Sequence, residues 1–186
     1  MLATAAALAT TGLAAGCGGA DYTDTSDYGH DRISTNFDRP EFADDYEEVL
    51  ELEDGRKVSL TYQRRNGLFE QHYSPEEDSW SKEQLLYPTD ADPCQGITIV
   101  ENHGRVAAIA DFGQYCYDGE PPMESLAATA DGSFQEWETH MTPGIDGWTE
   151  VDIVDADAVE WDSSAYPGLT FTPTEGFSGG YGGDEE

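Results

Sequence analysis

Val58-Ser59-Leu60-Thr61-Tyr62 alternates apolar and polar residues strictly, and Arg65-Asn66-Gly67 interrupts the pattern before Leu68 to Tyr73 runs on extended. Period-two alternation marks a strand with one buried face. Asn and Gly tolerate the positive φ that a tight turn needs, so the stretch predicts a β-hairpin. The same grammar recurs downstream. Ile97-Thr98-Ile99-Val100 and Val106 to Ala110 flank Asn102-His103-Gly104, and Leu126 to Ala130 and Phe134 to Thr139 flank Asp131-Gly132. Glu150 to Val154 and Ala158 to Trp161 flank Asp155-Ala156-Asp157, and Leu169-Thr170-Phe171 adds a further strand. Long apolar stripes at helical spacing are absent, and only Ser81 to Leu86 suggests a helical turn. The chain is therefore expected to be all-β, an antiparallel meander of hairpins.

The hairpins fall into units that begin near Val49, Ile97 and Val151, about 50 residues apart. In the first two, strands lead to a polar turn and then a tryptophan: Ser74-Pro75-Glu76-Glu77-Asp78-Ser79-Trp80 and Ala130-Asp131-Gly132-Ser133-Phe134-Gln135-Glu136-Trp137. These segments resemble the Asp-box turns of sialidase-like β-propellers, Ser-x-Asp-x-Gly-x-x-Trp, the first lacking the Gly and the second the Ser. The resemblance implies a partial or small β-propeller-like stack. A propeller usually closes with at least four blades and this chain supplies material for about three, so a β-sandwich of ordinary hairpins is the alternative.

At the N-terminus, Met1 to Gly16 carries no charge and is built almost wholly from Ala, Leu, Thr and Gly. It is shorter than the roughly 18–20 residues a membrane-spanning helix needs, and suits the apolar region of a signal peptide. Leu13-Ala14-Ala15-Gly16-Cys17 resembles the lipobox of bacterial lipoproteins, with Ala14 standing where that motif usually carries Leu. The resemblance implies cleavage before Cys17, a diacylglyceryl thioether on Cys17, and anchoring on the extracytoplasmic face of a cell membrane. Two acyl chains hold a protein stably where one is marginal. With Cys17 lipidated, Cys94 and Cys116 remain as an even pair in an oxidising compartment, and a disulfide between them is expected. The chain then divides into a signal peptide (1–16), a lipidated cysteine and disordered acidic tether (17–45), an all-β domain (46–175) and a flexible Gly-rich acidic tail (176–186).

The net charge of -31, from 39 acidic and 8 basic residues, argues against nucleic acid as a partner. His30, His72, His103 and His140 lie far apart with no paired-ligand spacing, and no Gly-x-Ser-x-Gly elbow is present. Carboxylates are too abundant for any pair to stand out as glycosidase acid and base. The propeller resemblance implies a hydrolase that grips an acidic substrate with clustered arginines. This chain has six arginines, with Arg32 and Arg39 in the expected tether and Arg64 and Arg65 adjacent. No cofactor is expected; calcium is the ion to consider, since Asp152, Asp155 and Asp157 cluster at one turn and Asp90 and Asp92 at another, but neither matches an EF-hand loop and solvated turn aspartates are the plainer reading. Among aromatics, Trp80, Trp137 and Trp161 recur at matching places and are expected in the core. Trp148, between Gly147 and Thr149, is expected exposed, and Tyr115 and Tyr117 flank Cys116 on a loop, where recognition residues concentrate.

These features point to a surface lipoprotein whose β-domain is a non-enzymatic binding module for an envelope glycan or a protein partner. A propeller-type glycoside hydrolase and a purely structural envelope component are the alternatives.

Overall fold

A computed structural model describes residues 24–37, 46–114, 116 and 119–180. Cys17, Tyr115 and Tyr117 lie outside them. The described residues form three antiparallel sheets. The first contains β1 (Tyr28–His30), β2 (Glu47–Glu51), β3 (Lys57–Gln63), β4 (Gly67–Ser74), β5 (Ser79–Ser81) and β6 (Gln84–Tyr87), in the order β1-β5-β4-β3-β2 with β6 also on β4. The second is a plain meander of β7 (Pro93–Asn102), β8 (Arg105–Phe112), β9 (Glu124–Asp131) and β10 (Trp137–Pro143). The third is another, of β11 (Glu150–Asp155), β12 (Ala158–Asp162), β13 (Leu169–Thr172) and β14 (Gly176–Gly179). Each unit read from the sequence is thus one sheet.

The turns follow from their residues. Gln63 pairs with Gly67 across Arg64-Arg65-Asn66, with Arg65 at φ 62° and Gly67 at φ 116°. A Cβ on Gly67 would collide with the carbonyl oxygen of Tyr87, so glycine is required there twice over. Asn102 pairs with Arg105, and the two residues between them, His103 and Gly104, both take positive φ (54° and 74°), as a type I′ hairpin demands.

The second sheet is the middle layer. Along β8, Ala107 and Ile109 pack toward the third sheet, while Ala108, Ala110 and Phe112 pack toward the first. A sheet covered on both faces loses its alternation and reads as a continuous apolar run, which is the pattern of Val106 to Ala110. One core joins Ala107, Ile109 and Ala127 to Trp148, Val151, Ile153, Val159, Trp161, Leu169 and Phe171. The other joins Leu60, Tyr62 and Leu68 to Ala108, Phe112 and Leu126. Small alanines let large rings approach, and Trp161 Nε1 donates to Ala108 O at 3.0 Å across the layers. The opening strands adjoin, β2 beside β7 and β11 against β7 and β8. The sheets do not close into a barrel.

Both outer faces are provided for. On the third sheet, Val151, Ile153, Val159 and Trp161 point inward, and Glu150, Asp152, Glu160 and Asp162 point to water. On the first, residues 31–37 lie over the face that carries Gln71: Ile33 N donates to Gln71 Oε1 at 2.8 Å, and Gln71 Nε2 donates to Asp31 O at 3.2 Å. Gln63 Nε2 reaches Ser34 O at 2.6 Å, and Arg32 pairs with Glu47 at 2.9 Å.

Four expectations are corrected here. Part of the stretch read as a disordered tether belongs to the fold, because Tyr28–His30 pairs with β5 and Phe37 stacks edge-on against Tyr46 and Tyr62. Its polar composition hid backbone and amide hydrogen bonds as the source of order. Ser81 to Leu86 is no helical turn, since β5 and β6 both pair with β4. The tail begins as a strand: Phe177 stacks on Phe171 at 5.0 Å and Trp161 at 5.5 Å, one ring anchoring an otherwise Gly- and Ser-rich segment. Phe134 lies in the β9–β10 connection rather than in a strand, at φ 60° and buried.

Candidate functional site

The Cys94–Cys116 bridge is present, with Cα atoms 5.6 Å apart. Gly113 sits under it, where a Cβ would come within 2.9 Å of Cys116 Sγ. The bridge ties the segment after β8 to the start of β7. Trp148 is the main correction among the nominated binding residues: it is 2% exposed and packs with Ile145, Val151 and Trp161. Gly147, at φ 85°, turns the chain so that the indole enters the core, and Trp148 N donates to Ser125 Oγ at 2.9 Å. Trp161 is fully buried, Trp137 is partly buried against the core, and Trp80 stacks on Tyr73 at 5.6 Å. Asp152, Asp155 and Asp157 are exposed, and Asp155 Oδ1 accepts the Asp157 N–H at 2.8 Å, which is local turn chemistry. No group of three or more His, Cys, Asp or Glu able to hold a metal occurs among the described residues.

Beside the bridge lies a cleft of about 570 Å³, within the range of small-molecule sites. The β3–β4 turn contributes Arg65 and Asn66, the β6–β7 connection contributes Thr89, Asp90 and Ala91, and the β8–β9 connection contributes Gln114, just before Cys116, and Met123. Its walls are fixed. Glu124 accepts from Tyr87 Oη at 3.0 Å and Thr89 Oγ1 at 2.9 Å, and Tyr62 Oη donates to Ala91 O at 2.9 Å. Burial, with the hydrogen bond to Glu124 added, pushes the Tyr87 phenol upward, so it stays a donor. The cleft thus offers a guanidinium, an amide, carboxylates and the exposed Met123 side chain.

A second constellation was missed from the sequence altogether. Glu70 and His72 sit two apart on β4, so they share a face, and His72 Nδ1 lies 2.8 Å from Glu70 Oε1. Ser26, carried in by the segment before β1, places its Oγ 2.7 Å from His72 Nε2. Glu70 is 1% exposed and His72 is 5% exposed. Burial pushes the Glu70 carboxyl up, while the hydrogen bond and charge of His72 act against that. The imidazole is flanked by the Tyr28 and Phe134 rings, at 5.7 Å and 5.6 Å, and Arg56 lies over the far side of Phe134 at 5.2 Å. Phe134 and Gln135 come from the β9–β10 connection. Gln135 Oε1 accepts from Thr25 Oγ1 at 2.9 Å, and Gln135 Nε2 reaches Asp24 Oδ1 at 3.4 Å. The pattern Glu-x-His in a strand was the available signal. Ser26 had none, being far away in sequence and assigned to the tether.

Protein-family models, curated proteins and solved structures were compared with the chain, and none matches.

A third group is structural. Asp111 on β8 pairs with Ser125, which pairs with Thr142, and this polar row lies on the third-sheet side under Trp148. Asp111 is 4% exposed, and its Oδ1, Thr142 Oγ1 and Trp148 Nε1 are buried without hydrogen-bond partners. Burial, only partly offset by a hydrogen bond with Ser125, pushes the Asp111 carboxyl up to about 7.

Proposed function

We propose that this chain is a lipid-anchored protein of the extracytoplasmic surface whose stacked sheets bind an envelope glycan or a protein partner in the cleft beside the Cys94–Cys116 loop. The anchor rests on Leu13-Ala14-Ala15-Gly16-Cys17. The observation that carries the binding reading is the cleft itself: its walls are hydrogen-bonded in place, and the Cys94–Cys116 bridge pins the chain just past Gln114 on its rim. A preformed site loses little conformational entropy on binding. Arg65 and Asn66 can donate to hydroxyl or carbonyl oxygens, while Asp90 and Glu124 can accept, a mixture suited to sugars and peptide backbone. The strongly negative surface disfavours nucleic acid and polyanionic glycans.

The test is thermal unfolding of the soluble protein from Asp21 onward, against neutral and amino-sugar envelope fragments and calcium at fixed ionic strength. A saturable rise in Tm with one glycan class, abolished by Arg65→Ala and Asn66→Ala together, is the expected result. A flat response across the panel, with no protein crosslinked to the cleft on intact cells, would remove the binding reading in favour of a structural role. Cys17→Ser separately tests the anchor, and is expected to release the protein from the membrane fraction.

A further inference from the structure

We infer that Ser26, His72 and Glu70 form a nucleophilic serine site that cleaves small, uncharged or cationic acyl esters. This inference does not rest on the cleft or on the lipid anchor. It rests on a chain of two hydrogen bonds, Ser26 Oγ to His72 Nε2 at 2.7 Å and His72 Nδ1 to Glu70 Oε1 at 2.8 Å.

Each member is placed as acyl transfer requires. Glu70 is an acceptor when ionised, so the Nδ1–H of His72 points to it and Nε2 keeps its lone pair for the Ser26 hydroxyl. His72 is held in that orientation by Tyr28 and Phe134 on its sides, and Ser81 Oγ takes the His72 backbone N–H at 3.0 Å. Ser26 is the one member that reaches the surface, being half-buried while the other two are enclosed. A nucleophile, its base and the base's orienting acid, in reach of each other and open only at the nucleophile, are the parts of a serine acyl-transfer site.

In the step, Ser26 Oγ bonds to the ester carbonyl carbon as its proton passes to His72 Nε2. Glu70 stabilises the imidazolium. The carbon–oxygen bond to the alcohol then breaks, and that oxygen takes the proton from His72. Water repeats the sequence on the acyl-serine, releasing the acid and restoring Ser26. Asp24 decides the substrate's charge. Its Oδ1 accepts the Ser26 N–H at 2.8 Å and stands 3.9 Å from His72 Nε2, so its charge lies beside the nucleophile and repels anionic acyl groups. The open setting of Ser26 suits short acyl chains.

The full-length protein is incubated with a fluorophosphonate and, separately, with p-nitrophenyl acetate. The expected result is one phosphonyl adduct mapped to Ser26 by peptide mass spectrometry. Ester hydrolysis should fall at least about a hundredfold in Ser26→Ala, the scale of lost general-base and nucleophilic catalysis. Glu70→Gln should lower kcat while leaving KM nearly unchanged, since the buried Glu70 carboxyl bonds His72 and does not reach the surface where a substrate binds. Ser26→Ala is expected to fold, because the residue is half-exposed, and its Tm is measured alongside. Absence of an adduct on Ser26 in the wild-type protein, or hydrolysis undiminished in Ser26→Ala, would overturn the inference, whatever the Glu70 variant does.

Discussion

Asp111→Asn should change how the stability of this protein depends on pH. Asp111 is buried between the second and third sheets, Oδ1 has no partner, and its carboxyl is pushed up to about 7 from an ordinary 3.8. In the unfolded chain the group loses its proton near 4, whereas in the fold it keeps it until about 7. The folded state therefore binds the extra proton between those values, and stability falls as pH rises through that window. The contribution is fully present below about pH 4 and lost above about pH 7. At 1.36 kcal/mol for each tenfold difference in proton affinity, the loss amounts to about 4 kcal/mol. The asparagine variant keeps the shape and removes the titration. Other carboxylates titrate in the same range, but they are common to both proteins and cancel in the difference. Urea unfolding followed by tryptophan fluorescence, at fixed ionic strength from pH 4 to pH 8, reads that difference. Stability of the wild type relative to Asp111→Asn is expected to fall by about 4 kcal/mol across the range. A difference that stays level within about 1 kcal/mol would refute the reasoning, showing that Asp111 is ionised and solvated in the fold.

Two further outcomes bear on the same architecture. Replacing Cys94 and Cys116 by serine opens a loop with a sequence separation of 22 and should cost about 3 kcal/mol in denaturant unfolding, the chain-entropy value for a loop of this length. Trp148→Ala should cost about 3–5 kcal/mol, because it leaves a cavity among Ile145, Val151 and Trp161. An exposed Trp148 would cost almost nothing, so a loss under about 1 kcal/mol would place the indole in solvent after all.

The hairpins were legible because turn chemistry is local. Gly67 and His103-Gly104 take positive φ, and the need for such residues is visible in two or three positions, although in the first turn it is Arg65 rather than Asn66 that joins the glycine there. The spacing of units was legible too, since the second and third sheets are both four-stranded meanders and the first is built around hairpins of the same kind. The stacking order was not, although one trace existed: Val106 to Ala110 lacks the alternation of Val58 to Tyr62, and a strand without alternation is covered on both faces. The alanines of β8 and β9 then carry a meaning that hydropathy misses. They thin the middle layer so that Trp161 can reach the backbone of Ala108.

What composition could not reveal was order sustained by polar groups. Residues 24–37 supply few apolar side chains, yet they are fixed by Gln71, Gln63, Arg64 and Glu47 of the first sheet, partners that lie far away in sequence. The same polar stretch carries Ser26, whose hydroxyl meets His72 Nε2 although composition gives it no mark of order. The consequence is physical as well as interpretive. If the lipid is carried by Cys17, Ser26 stands nine positions further along, too few residues for more than about 30 Å of extended chain. The Ser26–His72–Glu70 group would then face the membrane surface from short range, and the candidate ester site would meet neutral lipid-derived or envelope-bound acyl groups before any solute from bulk water. With that anchor, the acidic outer face of the third sheet, with Glu150, Asp152, Glu160 and Asp162, would be repelled by anionic headgroups and would turn away from them.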